Sequence, residues 1–304
     1  MNSGETASEP ALDSALGFSI QARHARGRIV RLGPLLGEIL DAHDYPEPIA
    51  HLLAEAITLT ALLGATLKEA GGQLTLQAQT ESGVIDLLVA DYRDGEMRGY
   101  VRHDAERFAE MPANPSLFAL FGTGYLAITF DQSATGERYQ GIVPLEGASL
   151  AEAAQSYFAQ SEQIPSLVRL AVNKGEDGAT IAGGMMLQHL ADGEEGRERI
   201  HVRLDRSEWE HVRALGETLT ADELTDPQVG LDTIVWRLFH EEAEIRVLPQ
   251  TVLTRGCRCD PAHIRTVIAR FPADERVEMT DSDGVIRVDC EFCARSFPVE
   301  LAEL

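Results

Sequence analysis

The spacing of apolar residues along the chain predicts both strands and helices. Leu74, Leu76 and Ala78 alternate with polar residues, which is the pattern of a strand with one buried face. Between residues 46 and 70 the apolar residues recur every three or four positions, which predicts a helix that ends at Gly71-Gly72. These helical positions are Ile49, Leu52, Leu53, Ala56, Ile57, Leu63 and Leu67.

Strand patterns dominate the first 190 residues. Asp94-Gly95 fits the tight turn of a hairpin. Ser149 and Glu152 fit a capping box, which predicts a helix from there to about residue 160. Because helices interrupt the strands irregularly, we expect a mixed α+β core domain over residues 1–190. Strands are predicted at 27–32, 84–90, 97–102, 125–130, 138–145, 167–172 and 179–187.

The character of the chain changes near residue 191. Acidic residues then outnumber basic ones, and helical patterns appear at 207–215 and 231–243. Their apolar stripes are thin, while ordering each residue costs roughly 1–2 kcal/mol of backbone entropy. We therefore expect residues 191–250 to form a helical, metastable linker that docks on other parts of the protein.

Residues 251–304 have the pattern of a third, small unit. Asp260-Pro261 is a favourable pair for a helix start, so a helix is expected at 261–271. A strand at 285–288 is expected to lead into Cys290. The unit has too few apolar residues for a core of its own, so a bound metal would be a physically sensible staple.

The formal net charge of −23 narrows the range of partners. Phosphate backbones and anionic membranes attract basic faces, so we expect neither nucleic acid nor a membrane as a partner. The first ten residues lack the basic and apolar stretches of a signal peptide. The apolar window 49–67 contains His51 and Glu55, which favours a buried helix over a membrane span. We therefore expect a cytoplasmic protein.

The four cysteines form two close pairs, Cys257-x-Cys259 and Cys290-x-x-Cys293. In a reducing compartment such pairs indicate metal or redox chemistry rather than structural disulfides. Zn²⁺ prefers four soft ligands in a tetrahedron, so we predict that these four residues bind one Zn²⁺ as thiolates. Four thiolates leave no open position for water, and no catalytic constellation stands out elsewhere, so an enzyme is not expected.

The spacing alone leaves two roles for this site open. A permanent structural zinc site has this spacing, and so does a redox switch, because oxidants attack thiolates. Loss of the metal would remove folding energy on the order of 10 kcal/mol. A thioredoxin-like oxidoreductase fits poorly, because the C-x-x-C pair has no βαβ context. His263 lies near the first cysteine pair and could replace one ligand, but four cysteines suffice. His240-Glu241-Glu242 lacks the second histidine of a metalloprotease helix.

Several stretches, together with the order of the cysteine pairs, produce a resemblance that covers nearly the whole chain. They include YQGIVPL at 139–145, AGGMMLQ at 182–188 and WRLFHEE at 236–242. The sequence resembles the heat shock protein 33 family of redox-regulated bacterial chaperones. The other stretches that carry the resemblance are 52–68, 74–77, 98–100 and 157–163.

The resemblance implies a substrate-binding core, a redox-sensitive linker and a C-terminal zinc domain. In that family the reduced, zinc-bound form is inactive as a chaperone. The resemblance implies disulfides that join Cys257 to Cys259 and Cys290 to Cys293, with release of Zn²⁺ and unfolding of the linker. The resulting homodimer would hold unfolding client proteins without ATP. It also implies that the second pair senses the oxidant first and that the first pair responds to linker stability.

The sequence departs from the family pattern at two places. Asp260-Pro261-Ala262-His263 stands where the family usually has a more basic stretch, and the usual asparagine after Cys293 is missing. These departures bear on the oxidation rate and threshold, not on the ligands. The main alternative is a non-chaperone protein-binding module with a purely structural zinc site. A second alternative is an enzyme in the first domain with a regulatory zinc tail.

Overall fold

The computed structural model describes residues 12–67, 70–80, 83–113, 115–132, 136–145, 147–175, 178–190 and 206–304. The strands are β1 (Ser14–Ile20), β2 (Ala25–Leu32), β3 (Gln73–Thr80), β4 (Ile85–Arg93), β5 (Glu96–His103), β6 (Gly124–Asp131), β7 (Arg138–Pro144), β8 (Ser166–Lys174), β9 (Thr180–His189), β10 (Arg246–Val247), β11 (Thr251–Val252), β12 (Thr254–Arg255), β13 (Val285–Asp289) and β14 (Ser296–Glu300). The α-helices are α1 (Pro34–Leu40), α2 (Glu47–Gly64), α3 (Ala105–Ala109), α4 (Leu117–Phe121), α5 (Leu150–Tyr157), α6 (Arg206–Glu217), α7 (Ala221–Thr225), α8 (Leu231–Phe239), α9 (Pro261–Ile268) and α10 (Ala273–Glu278).

The strands form two six-stranded sheets and one hairpin. Sheet A has the order β10-β1-β2-β9-β8, with β11 also paired to β1. Sheet B has the order β12-β5-β4-β3-β6-β7, and β13 pairs with β14. Only β12 and β5 run parallel; the other pairs are antiparallel. The predicted α+β class is confirmed.

Helix α2 lies between the two sheets and is buried on nearly all sides. An all-round apolar helix is stable only when it is enclosed in this way. By length and composition α2 is also a candidate membrane span, but 72% of it is buried inside the protein, as expected for a core helix. The helix ends at Gly64, not near residue 70 as predicted. Gly64 packs against the ring of Tyr92, and Arg28 Nε donates to the carbonyl of Ala65 at 3.0 Å.

The opposite face of sheet A is covered by α6, α7 and α8, which we call the linker helices. This confirms helices at 207–215 and from 231, although α8 ends at Phe239 and not at residue 243. Helix α7 was not predicted, yet its start has a complete capping box between Thr220 and Glu223. Residues 191–205 of the predicted linker lie outside the described residues. A second apolar cluster joins sheet and helices: Leu16, Phe18, Ile20, Ala25, Ile29, Leu167, Ala171, Met185 and Leu187 with Trp209, Val212, Leu219, Leu224, Leu231, Ile234, Val235 and Phe239.

Two adjacent glycines on β9 let helices approach sheet A from both sides. A Cβ on Gly183 would lie 2.3 Å from the carbonyl oxygen of Leu224, beside α7. A Cβ on Gly184 would lie 2.9 Å from side-chain carbons of Thr58 and Leu62 in α2. Both glycines are therefore positions of close backbone packing inside a strand.

Residues 246–255 connect the linker helices to the C-terminal unit and touch both sheets. Strands β10 and β11 extend sheet A, and β12 extends sheet B. Leu253, between β11 and β12, is only 2% exposed. The boundary predicted at residue 251 falls inside this segment, which we call the clip. The division into three domains stays a prediction.

Residues 256–304 have a small core of their own. Helix α9 begins as predicted, with Asp260 Oδ1 accepting from the amide of Ala262 at 2.9 Å, and it ends at Ile268, not at residue 271. Ile268, Ile286 and Val299 are the buried members of this core. Three such residues are few for an independent unit, in line with the expectation that a metal is needed.

Other sequence-based predictions can be compared element by element. Asp94 and Gly95 form the predicted turn, with φ of 51° and 85° in a two-residue connection between β4 and β5. Ser149 caps α5 as predicted, but Glu152 accepts from the amide of Ala148 and not from that of Ser149. β1, α1, α10 and β14 were not predicted.

The buried carboxyl group of α2 generates a pH-dependent prediction. Burial raises the pKa of Glu55 to about 7, and it lowers the pKa of His51, whose Nε2 lies 3.9 Å from Glu55 Oε1. The folded state therefore holds the proton more tightly than the unfolded state, so ionisation of Glu55 costs stability as pH rises from about 4.5 through 7. Glu55→Gln should raise the free energy of unfolding at pH 8 by up to about 3 kcal/mol, with little effect near pH 4.5. Urea unfolding at the two pH values checks this; an equal gain at both would contradict it.

The docking of α8 gives a second prediction. Phe239 is fully buried, with its ring centroid 5.7 Å from that of Phe18, whereas Trp236 on the same helix is 62% exposed. Phe239→Ala should weaken linker docking by about 3 kcal/mol or more. Trp236→Ala, the matched control, should stay within about 0.5 kcal/mol. Both tryptophans lie in the linker helices, so the fluorescence of Trp209 during urea titration reports docking in both variants. Equal midpoints would show that this contact does not hold the linker.

Candidate metal centre

The four cysteines come together where the clip meets the C-terminal hairpin. Cys257 and Cys259 lie between β12 and α9, and Cys290 and Cys293 lie in the turn that joins β13 to β14. All four Sγ atoms lie within 4.8 Å of one another. A cluster of four cysteine sulfurs of this size could hold a metal ion.

The hairpin turn shapes the second pair. The amide of Ala294 donates to the carbonyl of Cys290 at 2.8 Å, and the amide of Cys290 donates to the carbonyl of Arg295 at 2.9 Å. These bonds fold the chain back so that both sulfurs point the same way. Ala294 has a φ of 53°, in the left-handed region, which costs asparagine or glycine less conformational energy than alanine. The turn therefore keeps its shape despite the missing asparagine.

The sulfur separations fit a tetrahedral centre. Cys257 Sγ lies 3.1 Å from Cys259 Sγ and 3.6 Å from Cys290 Sγ, and Cys259 Sγ lies 3.6 Å from Cys293 Sγ. Zn–S bonds of about 2.3 Å in a tetrahedron place sulfurs about 3.8 Å apart. The thiols are free, and each sulfur of the first pair lies close both to its neighbour and to a sulfur of the second pair, so the geometry does not select one disulfide pairing.

The thiols differ in their electrostatic surroundings. Burial raises the pKa of Cys257 and of Cys259. Burial also pushes the pKa of Cys293 up, but the amide and guanidinium of Arg295 outweigh it and bring this pKa to about 6. Cys293 is thus more readily deprotonated than Cys257 or Cys259, and a thiolate is the form that binds metals and reacts with oxidants.

The spacer residue Phe292 fastens the centre to sheet B. Its ring meets that of Tyr100 edge-on at 4.9 Å, and the guanidinium carbon of Arg98 lies 3.9 Å from its centroid. Arg98 in turn pairs with the buried carboxylate of Asp91 at 2.6 Å. Next to the first cysteine pair, Arg258 donates to Gln73 Oε1 at 2.7 Å. Both cysteine pairs therefore have a neighbour that contacts the core.

The structure brings together all four sequence-predicted ligands. His263 is exposed on α9 and lies outside the cluster, as expected. The motif His240-Glu241-Glu242 has a structural role instead: the Glu242 carboxylate binds Arg23 at 2.8 Å and His211 at 2.9 Å. The contacts of Phe292 were missed; its aromatic character between two cysteines was the available signal.

Fold and centre together define an α+β protein with a C-terminal four-cysteine centre tied to its core. The Hsp33 protein family model matches residues 13–300. The chain therefore belongs to the heat shock protein 33 family, whose curated members are named as chaperonins and not as enzymes.

Comparisons with individual proteins agree with this assignment. The chain is 43% identical over 295 residues to the 33 kDa chaperonin of Caulobacter vibrioides, covering 95% of each. It is 36% identical to the 33 kDa chaperonin of Ectopseudomonas mendocina, covering 94% of this chain and 92% of the relative. The crystal structure of the heat shock protein 33 homolog from Thermotoga maritima has the same fold, with a TM-score of 0.78, 22% identity and 96% coverage of both chains.

The contact of Phe292 generates a prediction about metal retention. Phe292→Ala keeps all four sulfurs but removes the ring that joins the centre to Arg98 and Tyr100. In protein loaded with Zn²⁺, transfer of the ion to a coloured chelator should speed up about three- to thirtyfold, the value of one cation–π contact. Phe271→Ala, a half-exposed aromatic of the same unit, is the control and should transfer Zn²⁺ at the parent rate. Equal rates in both variants would show that docking does not support the centre.

Proposed function

We propose that the protein is a redox-regulated, ATP-independent holding chaperone whose resident metal is one Zn²⁺. The observation that carries this proposal is the arrangement of the clip. It runs from the linker helices across the edges of both sheets and reaches Cys257 directly after β12. A change at the cysteines would therefore act next to the clip, which is continuous in the chain with the helices that cover sheet A.

In the reduced state, Cys257, Cys259, Cys290 and Cys293 hold the ion as thiolates. Four soft sulfurs close to a tetrahedron suit Zn²⁺, and a closed shell of four thiolates suits a structural ion better than a catalytic one. Bound there, Zn²⁺ supplies folding energy on the order of 10 kcal/mol to a unit with few buried apolar residues.

Oxidation removes these ligands. Following the family, Cys257 bonds to Cys259 and Cys290 to Cys293. Formation of each disulfide removes two electrons from two thiolates. One molecule of hydrogen peroxide accepts these electrons together with two protons and becomes two molecules of water. The sulfurs then no longer bind the ion, and the hairpin that presents Phe292 loses its support.

Unfolding of the C-terminal unit weakens the contacts that keep the linker helices on sheet A. The two-residue strands of the clip bury little surface, and their register depends on neighbours at both ends. When they detach, the linker helices keep only their own contacts with sheet A. Because their apolar stripes are thin, the equilibrium moves towards release.

Released linker helices expose the apolar face of sheet A. This face includes Phe18, Ile29, Met185 and Leu187, which are all buried beneath the helices. A contiguous apolar surface of this kind binds unfolded or partly folded client proteins, and the linker adds apolar positions of its own. We propose a homodimer as the active form, as the family resemblance implies.

The charge of the chain supports the proposed setting. A net charge of −23 keeps a protein with exposed apolar surface soluble and repels nucleic acid and anionic membranes. A centre of four reduced cysteines belongs in the cytoplasm, where thiols stay reduced until an oxidant arrives.

The proposal predicts that chaperone activity appears as zinc leaves. Thermal aggregation of a model client is measured with the reduced zinc protein and with peroxide-treated protein, and zinc release is followed in the same samples. Only the oxidised form should suppress aggregation, and re-reduction with added Zn²⁺ should silence it again.

Peptide mapping of the oxidised protein checks the pairing. Disulfides of Cys257 with Cys259 and of Cys290 with Cys293 are expected. Equal protection by both forms, or zinc that stays bound while neither form protects, would favour the protein-binding module with a purely structural site.

A further inference from the structure

Arg31 of β2 is a buried cation beneath the linker. It is only 1% exposed and is the largest of the fully buried side chains in the described part of the protein. It pairs across the sheet with Gly183 of β9 and shares its face of β2 with Ala25 and Ile29, which belong to the linker-covered cluster. A charge in such a place needs compensation.

The hydrogen bonds that compensate this charge come from the backbone of the linker, and the carboxylate of Asp226 adds a charge–charge attraction. Arg31 Nε donates to the carbonyl of Leu224 at 2.8 Å, Nη2 to that of Glu223 at 3.0 Å, and Nη1 to that of Val229 at 2.5 Å. Two of these carbonyls belong to the last residues of α7, where carbonyls lack helical partners and the helix dipole is negative. Arg31 thus caps α7 from the core.

The surrounding contacts concentrate on the same segment. Gly183 leaves room for the carbonyl of Leu224, which a Cβ would meet at 2.3 Å. Asn173 Nδ2 donates to Thr225 Oγ1 at 2.8 Å, and Arg169 Nη2 donates to the carbonyl of Leu219 at 3.0 Å. Residues 219–229 are therefore held by directional polar bonds.

The two longer linker helices are held differently. Their buried residues make the apolar contacts of the second cluster, and Arg23 forms ion pairs with Glu208 of α6 and with Glu242 beyond α8. Apolar contacts and two partly buried ion pairs fix position less strictly than a fork of three hydrogen bonds from one buried guanidinium. The α7 segment is thus the part of the linker whose position on sheet A is fixed most strictly.

We propose that Arg31 is the positioning residue that anchors the linker on sheet A through the end of α7, and so sets how readily the linker is released. The inference deepens the proposed function, on which it rests, because linker release is the activating step there. The anchor suits a reversible cover, because water replaces the three carbonyls when α7 lifts. The hydrogen-bond acceptors are main-chain atoms, so the fork of hydrogen bonds does not depend on the identity of linker side chains.

The test compares linker exchange in full-length, reduced, zinc-loaded variants. In Arg31→Met, amide hydrogen exchange in residues 206–239 should speed up about tenfold or more, because three charge-assisted bonds are lost. Exchange in α2 and β3 and the bound zinc should stay at parent values. Arg31→Lys, which keeps the charge but loses the fork, should fall between the two.

Two further variants separate anchoring from a general loss of stability. Gly183→Ala keeps Arg31 and leaves no cavity but pushes the Leu224 carbonyl away, so it should also speed linker exchange. Arg28→Met removes another buried arginine of β2, which faces α2 and donates to Ala65, and should leave linker exchange unchanged. Unchanged linker exchange in Arg31→Met, or an equal effect of Arg28→Met, would overturn the anchor.

Aggregation assays on the same samples distinguish this inference from the proposed function. If Arg31→Met speeds linker exchange and the reduced variant also suppresses client aggregation, both stand. If linker exchange speeds up without any holding activity, the anchor stands and the proposed client surface fails.

Discussion

The closure of Cys257 and Cys259 onto Cys290 and Cys293 is the contact on which the C-terminal arrangement depends. It joins two segments that have 30 residues between them and only a few buried apolar residues to hold them. The same closure presents Phe292 to Arg98 and Tyr100 and starts α9 immediately after the first pair. The buried apolar contacts of this unit are few, so under the proposed function an ion held by the four sulfurs supplies the folding energy that they lack.

The clip and the linker helices connect the cysteine cluster to the covered face of sheet A. The core is stable on its own terms, because α2 is enclosed between two sheets. The linker helices are different: they lie on an already complete sheet, with apolar contacts, partly buried ion pairs and one polar anchor at α7. The clip couples this cover to the centre because it pairs with strands of both sheets. Under the proposed function, metal binding at the four cysteines therefore controls the weaker and more extensive interface between the linker helices and sheet A.

Much of this organisation could be predicted from the sequence, because its signals are local. The alternation of apolar and polar residues predicted most strands of the core, and apolar residues at every third or fourth position predicted α2. The cysteine spacing predicted the metal centre. The clip has no such signal, since strands of two residues have no periodicity. Ser14–Ile20 was missed as a strand, although Leu16, Phe18 and Ile20 alternate with Gly17 and Ser19 in the pattern of a half-buried strand. Arg31 looks like an exposed residue of a strand, and only tertiary packing reveals that α7 covers it. The end of α2 at Gly64 likewise depends on Tyr92, which is distant in the chain.

The most direct test of the central claim is amide hydrogen exchange of the reduced protein with and without Zn²⁺, with the thiols kept reduced by a phosphine while a chelator removes the ion. The account predicts that metal removal speeds exchange in residues 256–304, in the clip at 246–255 and in α6 to α8, while α2 and the central strands of sheet B are unaffected. Faster exchange confined to residues 256–304, with the clip and linker helices as protected as before, would contradict it.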